Sequence, residues 1–398
     1  MSKEVFKYNV ELKYVDTHSR EITINSEQIN YVVIDRDFDN TNMPVLAISA
    51  SIEKNILDDM IKNIDNQTVT LSIYKYDSSN QDDNITSKYI SDRFIYMMSE
   101  DISRTNKMDY DEDENSENKS GLFRDVTLWL LQQSAVNNNR QSINGIYKNA
   151  SMNSLILQIS NYIGKILLEP IRYDTKFDQV VIPPQDSISS YIRYLNNQLG
   201  VFYDTNYRFF IDFDMSYIVS SAGKIVKSKN QYIYTININI KDTIPDESDD
   251  DGMYVDTINN QYNIDINNSY VNYTKNNITN KMVNKVTMID SIGNVFEKEI
   301  SNNDTKITNT INQIINTSNI DNNAINNIAS NIENNNINIS FSKNDLDASL
   351  FTLNKEYIIS DSLHEEYNNR YILSSSKQLF IKQSNQFIMT TILNFKKI

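Results

Sequence analysis

One stretch constrains the fold more than any other part of the chain: residues 180–216 predict a helix followed by a hairpin. Pro183 and Pro184 can neither continue a strand nor sit inside a helix. Asp186 or Ser187 can cap a helix that begins just after them. The predicted helix carries on one face Ile188, Ile192, Leu195 and Leu199, with Tyr191 beside them.

The end of this helix and the hairpin are also marked in the sequence. Gly200 stands where a left-handed helix stop is expected. Val201–Tyr203 and Tyr207–Phe213 predict two strands about the short polar turn Asp204–Asn206. Along the second strand one face is aromatic or aliphatic, and it consists of Tyr207, Phe209, Ile211 and Phe213.

Composition sets the size and class of the protein. A chain of 398 residues is long enough for two or three domains, and 39% hydrophobic with 10% aromatic residues is enough to build their cores. The charge of −15, the pI of about 4.7 and the absence of a basic run argue against sequence-specific nucleic-acid binding. Cysteine is absent, so no disulfide, thiol nucleophile or cysteine-ligated zinc is expected.

The sequence predicts neither a signal peptide nor a membrane anchor. Charged residues run through the N-terminal segment where a signal would be apolar, and no apolar run is long enough to cross a bilayer. We therefore expect synthesis in a cytoplasm, followed by retention there or release by lysis or a dedicated machine.

The segment "IPP…S…YL…G.FYD…FFIDFD", from Ile182 to Asp214, resembles the inserted domain of the baseplate hub proteins of tailed bacteriophages and related contractile injection systems. The resemblance is specific over about 151–220 and architectural elsewhere. It implies an α+β, β-rich chain: two tail-tube-like antiparallel β-barrel or sandwich domains with a small inserted α/β domain of two helices plus a hairpin.

Hydrophobic patterning divides the chain in the same way. Residues 1–147 predict the first tube-like barrel with one packed helix, from the alternating strand Phe6–Tyr14 to the strand Val126–Leu131, and Ser51 can cap the helix. Residues 148–220 predict the inserted domain, whose first helix opens at Ser151.

Residues 221–398 predict the second tube-like barrel. Its strands are expected at 232–240, 285–290, 295–300, 357–360, 371–374, 379–382 and 387–395. Within it lies an Asn-rich insertion, 302–336, whose isoleucines have helical spacing although asparagine is a poor helix former. A helix and an extended polar loop are both compatible with it. Whether the first barrel is completed by chain from beyond the inserted domain stays open.

Several acidic segments could carry chemistry, and each has a simpler explanation. Asp109, Asp111, Asp113 and Asn115 have calcium-loop spacing, but Glu114 stands where glycine is needed and Ser120 where the bidentate Glu belongs. The cluster Asp246, Glu247, Asp249, Asp250 and Asp251 has no ordered ligand spacing. Both are expected to be surface loops, and no metal or cofactor is expected.

No catalytic residue is predicted either. Asp212 and Asp214 could act as a carboxylate pair on one strand face, although two water-facing carboxylates are the better expectation. His18 and His364 are isolated, and the 7 glycines form no phosphate-cradling loop, dinucleotide fingerprint or nucleophile elbow.

The leading hypothesis is therefore a structural virion protein and not an enzyme. The resemblance implies a hub subunit of the tail baseplate, made in the bacterial host cytoplasm, whose homotrimer forms a pseudo-six-fold ring. Its partners would be the tail tube protein, the central spike protein and other baseplate proteins, with a channel for DNA through the ring. The chain has 25 tyrosines and 15 phenylalanines, and strands rich in them could form a ligand-binding face but more often form core or subunit interface; we favour subunit interface.

Two other functions stay open at this point. A tail-associated glycan-binding or cell-wall-degrading protein would place exposed aromatic rings beside carboxylates in one cleft. A calcium-dependent secreted adhesin is disfavoured by the missing signal peptide and the broken calcium spacing.

Overall fold

A computed structural model describes most of the chain. The described residues are 6–62, 68–77, 85–100, 123–169, 176–199, 207–220, 235–241, 253–256, 261–267, 271–275, 282–289, 295–299, 310–315, 337–344, 346, 351–353, 355–361, 363–384 and 386–397.

Strands dominate the described residues. The first twelve are β1 (Phe6–Val15), β2 (Glu21–Ile24), β3 (Ile29–Asp37), β4 (Val45–Glu53), β5 (Thr68–Asp77), β6 (Ile85–Glu100), β7 (Phe123–Gln132), β8 (Ile143–Ser151), β9 (Ile166–Leu168), β10 (Lys176–Gln185), β11 (Tyr207–Ile211) and β12 (Ser216–Ser220). The next eleven are β13 (Thr235–Lys241), β14 (Met253–Asp256), β15 (Gln261–Asn267), β16 (Val271–Lys275), β17 (Met282–Ile289), β18 (Val295–Glu299), β19 (Thr310–Ile315), β20 (Ile337–Asn344), β21 (Glu356–Asp361), β22 (Asn369–Gln383) and β23 (Gln386–Lys397).

The helices of the described chain are short. They are α1 (Lys54–Lys62), α2 (Gln133–Arg140), α3 (Met152–Leu157), α4 (Ser160–Ile163), α5 (Ile188–Leu199) and a 3₁₀ turn at Glu365–Tyr367.

Eight strands close into an antiparallel barrel. The order around it is β22-β3-β4-β7-β6-β5-β1-β23, and β23 pairs again with β22. Side chains alternate along each strand, so every second residue enters a continuous apolar core that includes Val32, Leu71, Phe94, Leu128 and Phe380. Because β22 and β23 are two of the eight strands, the first barrel is indeed completed by chain from beyond the inserted segment.

Helix α1 packs on this barrel, as the sequence predicts. Its Leu57 and Met60 are buried in the barrel core, and the hydroxyl of Tyr96 donates to the Met60 carbonyl at 2.7 Å. The predicted cap is wrong, because Ser51 lies in β4 opposite Asp125 and donates its hydroxyl to that carboxylate.

Strands β22 and β23 also belong to a second sheet. β22 pairs with β21, which continues to β13, β15 and β14, while β23 pairs with β20, which continues to β16. The pairings of β13 with β15 and with β21 are parallel. Its core is separate from the barrel core and includes Ile238, Phe341, Tyr357, Tyr371 and Phe395.

The hairpin β22–β23 therefore belongs to both units. Tyr371, Leu373 and Phe395 lie in the second core, whereas Phe380 and Met389 lie in the barrel core. A β-bulge between Leu373 and Ser375 marks the crossing point. The sequence predicts two strands, 371–374 and 379–382, where one strand, β22, runs through.

The third unit spans residues 143–220 and contains the predicted helix–hairpin region. The expectation that Pro183 and Pro184 cannot continue a strand is wrong, because β10 runs through both to Gln185, with an irregular register against β8 between Ile182 and Gln185. Ser151 caps α3 in a reciprocal hydrogen-bonded box with Ser154, and Ser187 caps α5 by accepting from the Ser190 amide at 3.1 Å. The apolar face of α5 is buried, with Ile188, Tyr191, Ile192 and Leu195 in one core. The predicted stop Gly200, strand 201–203 and turn 204–206 lie outside the described residues.

Three further strands form a small sheet. β17 pairs antiparallel with β18, which confirms the predicted hairpin at 285–300, and in parallel with β19. The part of the Asn-rich insertion at Thr310–Ile315 is thus a strand, and neither a helix nor a loop. The rest of the insertion lies outside the described residues.

Candidate functional site at the junction of the three units

The three units meet where the turn between β11 and β12 covers one end of the barrel. Phe213 of this turn packs edge-on against Phe94 of the barrel core, with ring centroids 5.9 Å apart. The guanidinium of Arg36 lies over the other side of the Phe213 ring, 4.7 Å from its centroid. The inserted unit therefore closes this end of the barrel with an aromatic side chain.

A polar layer lies beneath Phe213, inside the end of the barrel. Arg36 donates its Nε to the Asp212 carboxylate at 3.0 Å and its Nη1 to Gln378 at 2.9 Å. Gln378 in turn donates to the Tyr89 hydroxyl. The side chains of Arg36 and Asp212 are only 14% and 19% exposed, so this ion pair is shielded from water.

Gln132 of β7 supports the same turn. Its amide nitrogen contacts the Asp92 carboxylate and donates to the Phe213 carbonyl at 3.3 Å. The turn is thus held through its backbone as well as through its side chains.

Arg208 of β11 provides a second charged contact between the inserted unit and the rest of the molecule, at the shared hairpin β22–β23. It donates to the Leu373 carbonyl at the bulge and to the Asp39 carboxylate at 3.4 Å. Arg208 is only 6% exposed, and its burial lowers the pKa of the guanidinium while Asp39 opposes that shift. The Phe38 ring, which packs against Phe210 at 4.6 Å, lies beside it.

The connection between β3 and β4 joins all three units through hydrogen bonds. The Phe38 amide donates to the Ser374 carbonyl at 3.0 Å, and the Ile211 amide donates to the Asn42 carbonyl at 2.7 Å. The side-chain amide of Asn42 donates to the Ser189 hydroxyl of α5 at 2.9 Å. Ser189 then bonds to the buried Asn138 of α2 through its own amide and hydroxyl, at 3.0 and 2.8 Å.

A polar cleft of about 300 Å³ opens beside this connection. Asp37 is the one carboxylate among its lining residues, and its oxygens already accept from Asp39 and from the backbone and side chain of Asn40, at 2.8–3.1 Å. Its one aromatic residue, Phe395, is buried. The other lining residues are Asn40, Thr274, Asn338, Ser340, Ser374, Ser375 and Asn394. Glycoside hydrolysis normally requires a pair of carboxylates, which this lining does not supply.

His364 belongs to a separate cluster at the end of the second unit. The buried carboxylate of Asp361 accepts from the Tyr273 hydroxyl, from the Leu363 amide at 2.8 Å and from the His364 amide at 3.2 Å. The His364 ring nitrogen Nδ1 lies 3.2 Å from the same carboxylate. Burial favours a high pKa for Asp361, but these donors hold its pKa below the usual value.

The structure describes two of the acidic residues singled out in the sequence, Asp212 and Asp214. Asp212 and Asp214 lie in the β11–β12 turn and not on a strand, because β11 ends at Ile211; Asp212 is paired with Arg36 and Asp214 is exposed. His18 lies in the turn after β1, where its amide donates to Asp16. The clusters at 109–115 and 246–251, with Ser120, lie outside the described residues.

The described part of the chain contains no group of three His, Asp or Glu side chains placed to hold a metal ion. Nor does it contain a helix with the length and apolarity needed to cross a membrane.

Sequence analysis missed the residues that hold the junction together. Arg36 and Gln378 occupy inward positions of strands whose other inward residues are apolar, and Arg208 does the same in β11. A polar residue at an inward position of an alternating strand is the signal that could have identified them.

The architecture resembles that of solved tail proteins. The tail protein from Neisseria meningitidis MC58 has a TM-score of 0.55 and 9% identity, with 98% of this chain and 97% of that chain covered. The 43 kDa tail protein of prophage MuSo2 from Shewanella oneidensis has a TM-score of 0.50 and 8% identity, with 97% and 98% covered. No curated protein matches the chain in sequence.

The chain thus has the β-rich fold of these tail proteins. The family model described as "Bacteriophage PBS1 gene 109 protein" matches residues 2–398. The chain belongs to this family.

Proposed function

We propose that the protein is a baseplate hub subunit, which joins the six-fold tail tube to the three-fold central spike. The observation that carries the proposal is the pair of β units built on one shared hairpin, β22–β23. Three copies of a chain with two β units present six units around one axis. Such a ring fits a six-fold partner on one side and a three-fold partner on the other.

The assignment of domains is part of this proposal. Residues 1–147 are taken as the first tube-like domain, which β22 and β23 complete, residues 148–220 as the inserted domain, and residues 221–398 as the second tube-like domain. The inserted unit would fix the angle between the other two units. Its β11–β12 turn closes the barrel, and its Arg208 donates to the Leu373 carbonyl of the shared strand β22. The Asn-rich insertion, 302–336, is assigned to the second domain.

The net charge of the chain bears on the passage of DNA, and the lining of the cleft bears on glycan binding. A ring of chains that each carry a charge of −15 would let DNA pass without sticking to the channel wall. The cleft beside Asp37 has one carboxylate and a single, buried aromatic residue in its lining, so we favour a structural role over glycan binding or hydrolysis. Neither cofactor nor catalytic residue is assigned.

The proposal places the protein in the virion, at the tail baseplate, after synthesis in the bacterial host cytoplasm. Its partners would be two further copies of itself, the tail tube protein, the central spike protein and other baseplate proteins.

The native mass of the purified chain tests this function. Light scattering should give a trimer, and negative-stain images should show a ring with an open axis and a pseudo-six-fold outline. A chain that stays monomeric at every concentration and hydrolyses purified cell wall would contradict the proposal.

A further inference from the structure

Strands β8 and β10 form a two-stranded ribbon in the inserted unit. One face of the ribbon packs into the core of that unit, with Val180 and Ile182 buried there. In the described part of the chain β8 and β10 pair only with each other, so each strand has one edge without a neighbouring strand. An open edge presents backbone N–H and C=O groups with which another extended chain can pair.

The open edge of β10 is blocked. Pro183 and Pro184 have no backbone N–H group, and the Val181 carbonyl accepts from the Tyr194 hydroxyl of α5 at 3.2 Å. Proline on an edge strand and coverage of the edge by a neighbouring element are two ways in which proteins prevent strand addition. The ribbon is therefore protected on its β10 side.

The open edge of β8 contains no proline. Opposite residues of an antiparallel pair direct their backbone groups either both towards the partner strand or both away from it. The Val181 carbonyl is bonded to α5 and so points away from β8; Ile146, opposite it, therefore directs its N–H and C=O groups to the open edge. Asn144 and Lys148, two residues to either side, do the same. The Asn144 carbonyl accepts from the Tyr147 hydroxyl at 3.4 Å, and it can accept a second hydrogen bond.

Two exposed apolar side chains lie on the outer face of the ribbon. Ile146 is 64% exposed and Val181 is 54% exposed, the highest values among the large apolar side chains of the described residues, and the two lie opposite each other. The next outward pair is Lys148 and Gln179. A strand added at the edge of β8 would place one residue beside Ile146 and another, two positions away, beside Lys148.

We propose that the open edge of β8 binds an extended segment of a different protein by strand addition. The segment carries an apolar residue opposite Ile146 and an Asp or Glu opposite Lys148, since opposite charges across a strand pair attract. Backbone hydrogen bonds supply the affinity, and the two side-chain positions supply the specificity. The same edge of a second copy does not meet this description, because β8 contains no carboxylate. The site is independent of the trimeric ring and goes beyond the proposed hub function.

Synthetic peptides test the edge directly. The probe is an end-blocked, nine-residue peptide of threonines with a central valine and a glutamate two positions to either side, so that it fits β8 in both strand directions. One control has lysine in place of both glutamates, and the other has an N-methylated central valine, which cannot donate to β8. By fluorescence anisotropy the glutamate probe should bind the full chain with a Kd below about 1 mM, about fivefold or more tighter than either control.

A charge reversal on β8 should reverse the preference between the probes. Lys148→Glu should bind the lysine peptide better than the glutamate peptide, because like charges opposite each other on paired strands repel. Lys54→Glu is the matched control, since it makes the same charge change at an exposed position of α1 on the barrel, and it should keep the wild-type preference. Both side chains are exposed, so the far-ultraviolet circular dichroism of both variants should be unchanged.

Hydrogen exchange at single amides reads out how the peptide binds. The bound glutamate probe should slow exchange at Asn144, Ile146 and Lys148, whereas Gly145 and Tyr147, which face β10, should change little. No saturable binding below about 1 mM, binding that protects no amide of β8, or a preference that Lys148→Glu leaves unchanged would each overturn the proposal.

The native mass separates this inference from the hub function. Lys148→Glu should have the same mass by light scattering as the wild type, whether or not that mass is a trimer. A lower mass for Lys148→Glu, or slow exchange at the three edge amides without any probe, would show that a second copy occupies the edge and would overturn the proposed partner.

Discussion

Arg36 turns into the barrel from a strand whose neighbouring inward residues, Val32 and Ile34, are apolar. The barrel end accepts its charge because Asp212, Gln378 and the Phe213 ring surround the guanidinium. Two of these three groups belong to the inserted unit. One cation in the barrel wall therefore depends on a separate part of the chain for its counter-charge.

Breaking this ion pair from one side should destabilise the fold. Arg36→Met leaves Asp212 shielded from water without its partner and should lower the free energy of unfolding by about 2–3 kcal/mol. The double variant with Asp212→Asn should lose less than the sum of the two single losses. Urea unfolding measures all three values.

The surface pair Asp35–Lys377 is a matched control within the same barrel. Both of its side chains are 42% exposed, and removing the pair with Lys377→Met should cost less than about 1 kcal/mol. Equal losses for the buried and the exposed pair would show that Arg36 has no special role.

The frequency of tyrosine predicts core or subunit interface and does not decide between them. Six tyrosines are among the largest fully buried side chains of the described residues: Tyr8, Tyr14, Tyr96, Tyr191, Tyr357 and Tyr371. Several find a backbone acceptor inside the core, as Tyr191 does at the Leu155 carbonyl at 2.8 Å. Burying a tyrosine costs little free energy when its hydroxyl has a hydrogen-bond partner. The number of tyrosines in a sequence therefore does not tell whether they are buried or exposed.

At the scale of elements, the segment from Asp361 to Tyr367 covers the end of the second unit. Tyr273 of β16 stacks on Tyr367 at 4.2 Å and donates its hydroxyl to Asp361, which joins an outer strand of this sheet to the segment after β21. The contact depends on an ionised carboxylate, because Asp361 only accepts hydrogen bonds there.

The stability of this segment should fall in acid. The pKa of Asp361 is lowered in the folded state. The ionised carboxylate therefore contributes fully to the free energy of unfolding above its ordinary pKa of about 4. This contribution is lost as the pH falls through the lower pKa of the folded state. Tyr273→Phe removes one donor, so the folded pKa should rise towards the ordinary value and the acid-induced loss should become smaller. Urea unfolding between about pH 5 and pH 3 measures this slope.

Tyr371→Phe provides the control for that slope. The Tyr371 hydroxyl donates to the Tyr367 carbonyl at 2.7 Å, so its removal should lower stability without changing the dependence on pH. The same slope in wild type and Tyr273→Phe would contradict the role of Asp361.

Elements with strict alternation or a clear cap could be predicted from sequence, as β1, β7, β23, α3 and α5 show. Strand β22 could not, because its middle inward residues, Ser376 and Gln378, are polar and break the apolar pattern while the backbone ladder continues. The junction was missed for the same reason. Its polar groups satisfy one another across units distant in sequence, such as Arg36 and Gln378, and no local pattern records such a pairing.

At the scale of the whole molecule, the shared hairpin β22–β23 should make two units unfold as one. Met389 is buried in the barrel core and Leu393 in the second core, on the same strand. Met389→Ala and Leu393→Ala should each cost about 2–5 kcal/mol and shift one common transition.

Calorimetry together with urea unfolding can test this cooperativity. Lys396→Ala on the same strand is the control: the Lys396 side chain is half-buried and lies in neither core, so its loss should leave the transition nearly unchanged. Two separate transitions, each sensitive to only one of the core variants, would mean that the units are independent.

The hairpin β22–β23 also determines how the molecule would carry a mechanical load. Its strands run from one core into the other, and they are bonded to each other on both sides of the bulge at Leu373–Ser375. A pull that separates the two cores along the strand direction acts on many of these hydrogen bonds in parallel, as shear, instead of opening them one after another. The protein therefore has a stiff connection in the place where two domains in one chain would ordinarily have a flexible linker.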